Sequence, residues 1–331
     1  MSLEKELYRV DFHHHFFPSD LNKAKSNIDA GWKTPEGNLP WNPAISIQSM
    51  NALGIQIALL SLPANPSGEV SSENRRLARA HNMLAANICE TYPGRFGFLA
   101  GLPFLDDIEG VLEEMAHSLD VLGADGIALT SSYGSGMLST YIGHEKYDRI
   151  WEELDRREAV VFLHGAQIPS STSHPDPLLG LPVVEVPNET FKAAAHLVVT
   201  GKKRKYPKVK IVLAHLGGSS PFLAARVAVL SRHMGCKLTP AEILEDFKTF
   251  YFETALSAHE TNLAAMERFV TPDRILFGTD FPAVSTAMAA WYTENLDGYY
   301  LADALKKDAI MFQNAFNLLP GLRKRIKHGA R

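Results

Sequence analysis

Histidine and aspartate side chains stand at the ends of four short apolar runs that lie far apart in the chain. The residues are His13, His15, His164, His215 and Asp280. Neutral imidazoles and a carboxylate are ligands for a borderline divalent ion such as zinc, and three or four of them leave a position free for water or substrate. If the four run ends meet in space, these residues predict a catalytic metal site.

The first run ends in three consecutive histidines. Side chains alternate between the two faces of a strand, so His13 and His15 face the same side and form a chelating pair. His14 faces the opposite side, and we interpret it as a packing or hydrogen-bonding residue.

Each of these residues also has an ordinary structural interpretation. His215 equally fits a buried core histidine, and Asp280 fits the N-cap of a following helix, because Phe281-Pro282 comes next. The coincidence of all of them at strand ends favours the metal site. Histidines elsewhere fall in predicted helices or loops and are left out of it, including His81, His117, His144, His196, His233 and His328.

Eight apolar runs, each followed by a polar loop and usually by helical spacing, must position these residues. The predicted strands are Tyr8–Phe12, Gln56–Leu62, Phe96–Leu102, Gly126–Thr130, Val160–His164, Val209–His215, Thr249–Thr254 and Arg274–Thr279. Asp106–Leu122 is a predicted helix capped by Asp106 or Asp107. Such repetition predicts an α/β fold, a (β/α)8 TIM barrel, whose active site lies at the carboxyl ends of the strands. A doubly wound open sheet is the alternative, but His13-His14-His15 stands where its Gly-rich turn belongs.

Two connections are long for this fold, Phe16–Ala44 after the first strand and Gly165–Thr190 after the fifth. Long loops in compact domains commonly form binding sites, so we interpret them as pocket walls, with oligomer contacts as the alternative. No break in composition divides the chain, and we expect one domain over residues 1–331.

The composition excludes several classes of function. A net charge of −4 gives no reason to expect nucleic acid or an anionic membrane as partner. No run reaches the length of a membrane span, and no apolar stretch of a secretory signal follows the first residues. With only two cysteines, Cys89 and Cys236, and no CxxC pair, we expect a cytoplasmic protein.

An ordered set of motifs over nearly the whole chain resembles the amidohydrolase superfamily. The motifs are Val10-Asp11-Phe12-His13-His14-His15-Phe16-Phe17-Pro18, Leu163-His164, Leu213-Ala214-His215-Leu216-Gly217-Gly218, Leu276-Phe277-Gly278-Thr279-Asp280-Phe281-Pro282 and Asn314-Ala315. The specific resemblance is to the branch around aminocarboxymuconate-semialdehyde decarboxylase and the salicylate-type aromatic decarboxylases.

The resemblance implies a role for each matching residue. His13, His15, His164 and Asp280 become metal ligands, and His215 becomes an acid/base or substrate contact near the metal. Arg226 resembles the family's arginine that binds substrate carboxylate across a dimer interface, so a homodimer or higher homo-oligomer is expected. As a plain helix-surface residue, Arg226 has an equally good interpretation.

The fourth strand, Gly126–Thr130, lacks the lysine that bridges two metals in other branches of the superfamily. We therefore expect one divalent ion, zinc first and manganese as the alternative. The favoured activity is nonoxidative decarboxylation of an ortho-hydroxy aromatic (salicylate-like) acid, with Asp280 as proton donor and His215 orienting the substrate.

Aromatic side chains near the first loop are candidates to stack on such a ring: Phe16, Phe17, Trp32 and Trp41. The same ligands would also serve a mononuclear metal-dependent hydrolase of a lactone or amide, which is the alternative function. A barrel that binds a ligand without catalysis is the third hypothesis.

Overall fold

Eight parallel strands form one sheet in the computed structural model, which describes residues 8–167 and 174–329. In chain order they are β1 Val10–His15, β2 Ile57–Ser61, β3 Phe96–Gly101, β4 Gly126–Thr130, β5 Val160–His164, β6 Lys210–Leu213, β7 Tyr251–Glu253 and β8 Ile275–Leu276. Each strand pairs with the next one along the chain.

The sheet closes between its first and last strands. The amide of Phe12 donates to the carbonyl of Phe277 at 2.9 Å, and the amide of His15 donates to that of Phe281 at 2.7 Å. The amide of Asp280 donates back to the carbonyl of His13 at 2.8 Å. The predicted (β/α)8 barrel is confirmed, and all eight predicted strand regions contain a strand.

Helices surround the strands, and the apolar side chains between the two layers form the larger of two cores. The helices are Lys23–Ala30, Pro43–Ala52, Ser72–Thr91, Ile108–Asp120, Asp148–Arg156, Leu181–Val199, Lys202–Lys205, Ser220–His233, Pro240–Lys248, Glu260–Phe269, Thr286–Tyr299, Ala304–Asp308, Asn314–Leu318 and Pro320–Gly329. A smaller core fills the barrel interior with residues such as Val10, Leu59 and Phe162. The predicted Asp106–Leu122 helix is shorter than expected and is capped by Asp107, whose carboxylate accepts from the amide of Gly110 at 3.2 Å.

A bulge interrupts β1 at Phe12 and His13. The register against β2 shifts between Asp11 and His14, and the rings of both Phe12 and His13 contact Phe162 inside the barrel. The buried Asp11 carboxylate holds this irregular backbone, because it accepts from the amides of His13 and Thr279 at 3.2 and 3.0 Å. Bulges of this kind aim side chains at active sites.

The two long connections have more structure than the sequence suggests. The first contains the helix Lys23–Ala30 and a 3-10 turn at Glu36–Asn38. After β5, a helix already begins at Leu181, so the last part of the expected connection, residues 181–190, is helical. Residues 168–173 of that connection lie outside the described part of the chain.

Candidate active site

The five predicted chemical residues meet at the carboxyl ends of the strands. All are at least nine-tenths buried. Two groups of side chains have ligand atoms within 4.8 Å of one another, His13 with His15 and His164, and His13 with His215 and Asp280. Side chains that are up to 267 positions apart in the sequence therefore form one cluster.

The nitrogens that face away from the cluster have hydrogen-bond acceptors. The Nδ1 atoms pair as follows: His13 with Glu253 Oε1 at 2.8 Å, His15 with the Ser61 carbonyl at 3.2 Å, His164 with the Gly165 carbonyl at 2.9 Å and His215 with the Ala255 carbonyl at 3.0 Å. An acceptor beside Nδ1 favours the tautomer with its proton there. The Nε2 lone pairs are then free to face the centre of the cluster.

The inner atoms fit a divalent cation. Nε2 of His13 lies 3.1 Å from Nε2 of His15, and Oδ1 of Asp280 lies 3.4 and 3.2 Å from these two nitrogens. Donor atoms that bind one ion at about 2.1 Å are separated by about 3.0–3.4 Å. Burial lowers the pKa of His13 and of His164 well below the ordinary histidine value, which keeps both rings neutral as ligands.

Asp280 lies beside His13 and His15 in an unusual backbone conformation, with φ of 65°. Burial raises the pKa of its carboxyl group, but the neighbouring His13 and His15 more than offset this, so that the pKa lies well below its usual range. Asp280 is therefore anionic. The alternative role as a helix cap does not hold, since Ser285 caps the helix Thr286–Tyr299 by accepting from Met288 at 3.2 Å.

Glu253 belongs to the site, although it is not among the residues predicted from the sequence. Its carboxylate is fully buried and accepts from the amides of His215 and Ala255, both at 2.6 Å, as well as from His13. Burial raises the pKa of Glu253 to about 7. Glu253 is the last residue of β7, so the strand-end rule that selected the histidines would also have found it.

His14 lies outside the cluster, on the opposite face of β1. Its Nδ1 is 2.9 Å from the Asp11 carboxylate, and its Nε2 is 2.8 Å from the Ser46 hydroxyl. These contacts make it a hydrogen-bonding residue of the barrel wall.

A cavity of about 270 Å³ opens onto the cluster, and His15, His164, His215 and Asp280 form part of its wall. The remaining wall is mostly apolar and comes from both long connections and from the segments after β2, β7 and β8. A concave apolar pocket with a few converging polar groups is typical of a small-molecule site.

The predicted substrate contacts divide into two groups. Trp32 lines the cavity, and its Nε1 donates to the Ala283 carbonyl at 3.0 Å. Phe17 also lines it, whereas Phe16 is buried beside Trp41, with 6.1 Å between ring centroids, because consecutive residues point in opposite directions. Arg226 is exposed on the helix Ser220–His233 and is not among the residues that line the cavity within one chain.

The chain is similar to known proteins over almost its whole length. It is 34% identical to 6-methylsalicylic acid decarboxylase of Aspergillus aculeatus, over 97% of this chain and 98% of the relative. It is 27% identical to gamma-resorcylate decarboxylase of Rhizobium sp., over 83% and 88%. The structure of dihydroxybenzoic acid decarboxylase from Polaromonas sp., with bound manganese and 2-nitroresorcinol, superposes with a TM-score of 0.78 at 23% identity, over 94% of this chain and 96% of that one.

The similarity to the Polaromonas structure concerns the fold alone, whereas the similarity to the Aspergillus relative shows the family. The family model described as amidohydrolase matches residues 10–321, which include every member of the buried cluster. The chain belongs to the amidohydrolase family.

Proposed function

We propose that this protein is a metal-dependent carboxy-lyase that decarboxylates an ortho-hydroxy aromatic acid of the salicylate type without an oxidant. The observation that carries the proposal is the cluster of three or four imidazoles with Asp280, open to an apolar cavity of about 270 Å³. The relatives that bear decarboxylase names act, by those names, on hydroxylated benzoic acids. They support decarboxylation over the hydrolysis of a lactone or amide.

The metal ligands in this proposal are His13, His15, His164 and Asp280. A divalent ion bound there supplies a fixed positive charge for the oxygens of the substrate. Three imidazoles and a carboxylate accept zinc, our first choice, and also manganese, the ion in the Polaromonas structure.

The apolar walls hold the ring and exclude water from it. Trp32 and Phe17 form one side, and Val186 and Leu256 are among the residues that complete the enclosure. A ring fixed in this way has its reacting carbon held close to the Asp280 carboxylate, which lowers the entropic part of the barrier.

Asp280 moves the proton. Because its carboxyl group is anionic before substrate binds, it takes the proton of the substrate hydroxyl and delivers it to the ring carbon that bears the carboxylate. The bond between that carbon and the carboxylate then breaks, its electron pair returns to the ring as phenolate, and carbon dioxide leaves. The phenolate finally takes a proton from solvent. His215, held by the Ala255 carbonyl, orients the substrate.

We further propose that the chain forms a homodimer through the helix Ser220–His233. Phe222 and Val229 on this helix are 62% and 59% exposed, which is unusual for apolar side chains. Arg226 stands on the same helix and remains the predicted contribution of one protomer to the site of its partner.

None of the helices in the described ranges is long and apolar enough to span a bilayer. The cytoplasmic location stays a prediction.

Carbon dioxide release tests the proposed activity directly. The metal-loaded protein is mixed with salicylate, 6-methylsalicylate and 2,6-dihydroxybenzoate, with benzoate as the control that lacks the ortho hydroxyl group. We expect release from at least one hydroxylated acid and none from benzoate, and we expect His164→Ala to lose both the ion and the release. Cleavage of lactones or amides with no carbon dioxide from any of the acids would replace this function by the hydrolase.

A further inference from the structure

We infer that Lys23 is the residue that binds the carboxylate of the substrate within one chain. This inference rests on the proposed function and adds a specificity-determining residue to it. From the sequence, that role is predicted for Arg226 of a partner, and Lys23 is not among the candidates.

Lys23 faces the cavity because of its place on a helix. Lys23, Asn27 and Ala30 of the helix Lys23–Ala30 all line the cavity, with the spacing of one helical face. The Lys23 ammonium lies 4.7 Å from the centre of the Phe17 ring, which also lines the cavity. Of the described residues that form the wall, Lys23 is the one lysine or arginine.

The Lys23 ammonium has no carboxylate partner of its own. Within residues 8–167 and 174–329, no ion pair joins Lys23 to an acidic side chain, whereas Lys25 on the opposite face pairs with Asp29 at 2.5 Å. Burial lowers the pKa of Lys23, and the charge of Asp280 acts in the other direction. A partly desolvated ammonium that has no carboxylate in direct contact is costly to keep, and an anionic ligand lowers that cost.

Helix stability does not explain the residue either. Lys23 is the first residue of its helix, where the helix dipole is positive and a cation is unfavourable. The aligned backbone amides and the ammonium instead give this side of the cavity a positive potential, which suits an anionic oxygen of the substrate.

Binding of the carboxylate by Lys23 has a distinct kinetic signature. The carboxylate is charged in the bound substrate but becomes neutral carbon dioxide as the bond breaks, so this contact is stronger before the transition state than in it. Removing it raises KM and leaves kcat unchanged or higher.

The test compares an anionic and a neutral ligand that share one ring. Titration calorimetry on the metal-loaded protein measures benzoate and phenol binding to wild type, Lys23→Gln, Lys23→Arg and the control Lys25→Gln. For Lys23→Gln we expect benzoate affinity to fall about ten-fold or more and phenol affinity to stay the same. Lys23→Arg keeps the charge and recovers part of the affinity, and Lys25→Gln behaves as wild type.

Several results would overturn the inference. They are equal benzoate affinity in wild type and Lys23→Gln, a parallel loss of phenol binding, no benzoate binding to wild type, or a fall in kcat with KM unchanged. If the wild type releases carbon dioxide but binds benzoate no more tightly than Lys23→Gln does, only this inference is rejected. Benzoate binding that depends on Lys23, in a protein that releases no carbon dioxide, rejects the decarboxylase alone.

Discussion

At the scale of single residues, the candidate site depends on which nitrogen of each histidine carries the proton. Four Nδ1 acceptors fix this choice, and three of them are backbone carbonyls of Ser61, Gly165 and Ala255. The fourth is a side chain, Glu253, so it is the acceptor that mutation can remove. Partners of this kind orient metal ligands and raise their basicity.

We expect Glu253→Gln to weaken metal binding by about 10- to 100-fold. The glutamine side chain keeps one acceptor oxygen. Its NH2 group, however, faces the backbone N–H of His215 or of Ala255, which donates to the Glu253 carboxylate in the wild type. Competition with a chelator, followed by metal analysis, measures the change. Glu245→Gln is the control, because Glu245 is exposed and pairs with Lys248. Unchanged metal affinity in Glu253→Gln would show that the carboxylate has no role in the cluster.

The sequence predicted which residues form the cluster because each of them stands at a strand end, where the barrel brings distant positions together. Glu253 was missed because the predicted strand Thr249–Thr254 ends one residue later, whereas the strand in the structure ends at Glu253. Lys23 could not be found in this way. Its approach to the cavity depends on how a loop folds back over the barrel, which no local spacing reports.

At the scale of elements, strand ends must approach one another closely for the cluster to form. Gly278 follows β8 and lies against Glu253 and His13. A Cβ atom at this position would collide with Glu253 Oε2 and lie 3.0 Å from the His13 Cβ. Glycine is therefore required by close approach rather than by a turn.

We expect Gly278→Ala to lower the free energy of unfolding by about 1–3 kcal/mol, as other overpacked sites do, and to reduce the metal content. Gly298→Ala is the matched control, because Gly298 lies in the helix Thr286–Tyr299 with no atom near its added Cβ. Alanine there should stabilise the protein by up to about 1 kcal/mol. Denaturant unfolding with metal analysis measures both variants. A Gly278→Ala protein with wild-type stability and metal content would contradict the packing described here.

Strands were easier to predict than their irregularities. The alternation rule correctly paired His13 with His15, but the bulge held by Asp11 is invisible to it, since Asp11 acts through contacts with Thr279, 268 positions away. The connection after β5 was predicted to run to Thr190, and its prolines fit a loop, but a helix already begins at Leu181. Pro182 instead occupies the first turn of the helix, where its missing N–H has no intrahelical partner to lose.

At the scale of the whole molecule, one helix presents an apolar face to solvent. Phe222, Val229 and Leu230 on the helix Ser220–His233 are all more than two-fifths exposed. Exposed apolar patches of this kind mark interfaces, and most soluble homo-oligomers are symmetric dimers.

We expect the protein to sediment as a dimer and Val229→Asp to shift it toward the monomer, because a buried carboxylate without a partner opposes association. Val121→Asp is the control, since Val121 is 69% exposed but follows a different helix, Ile108–Asp120. Analytical ultracentrifugation over a range of concentrations measures the assembly. A wild type that stays monomeric, or a Val229→Asp protein that stays dimeric, would contradict an interface on this helix.

The barrel itself could be predicted from its repeated strands and helices, because each repeat has a local sequence pattern. The substrate could not be predicted to the same depth. The walls of the cavity come from both long connections and from the segments after β2, β7 and β8, and only their arrangement in space decides which ring substituents fit.

The central claim is that one divalent ion lies among His13, His15, His164 and Asp280. The most direct measurement is an anomalous difference map from crystals of the metal-loaded protein, collected on both sides of the absorption edge of the ion. We expect a single peak per chain within about 2.0–2.2 Å of the three imidazole nitrogens and a carboxylate oxygen. An active protein with no peak there, with two adjacent peaks, or with a peak far from Asp280 would contradict it.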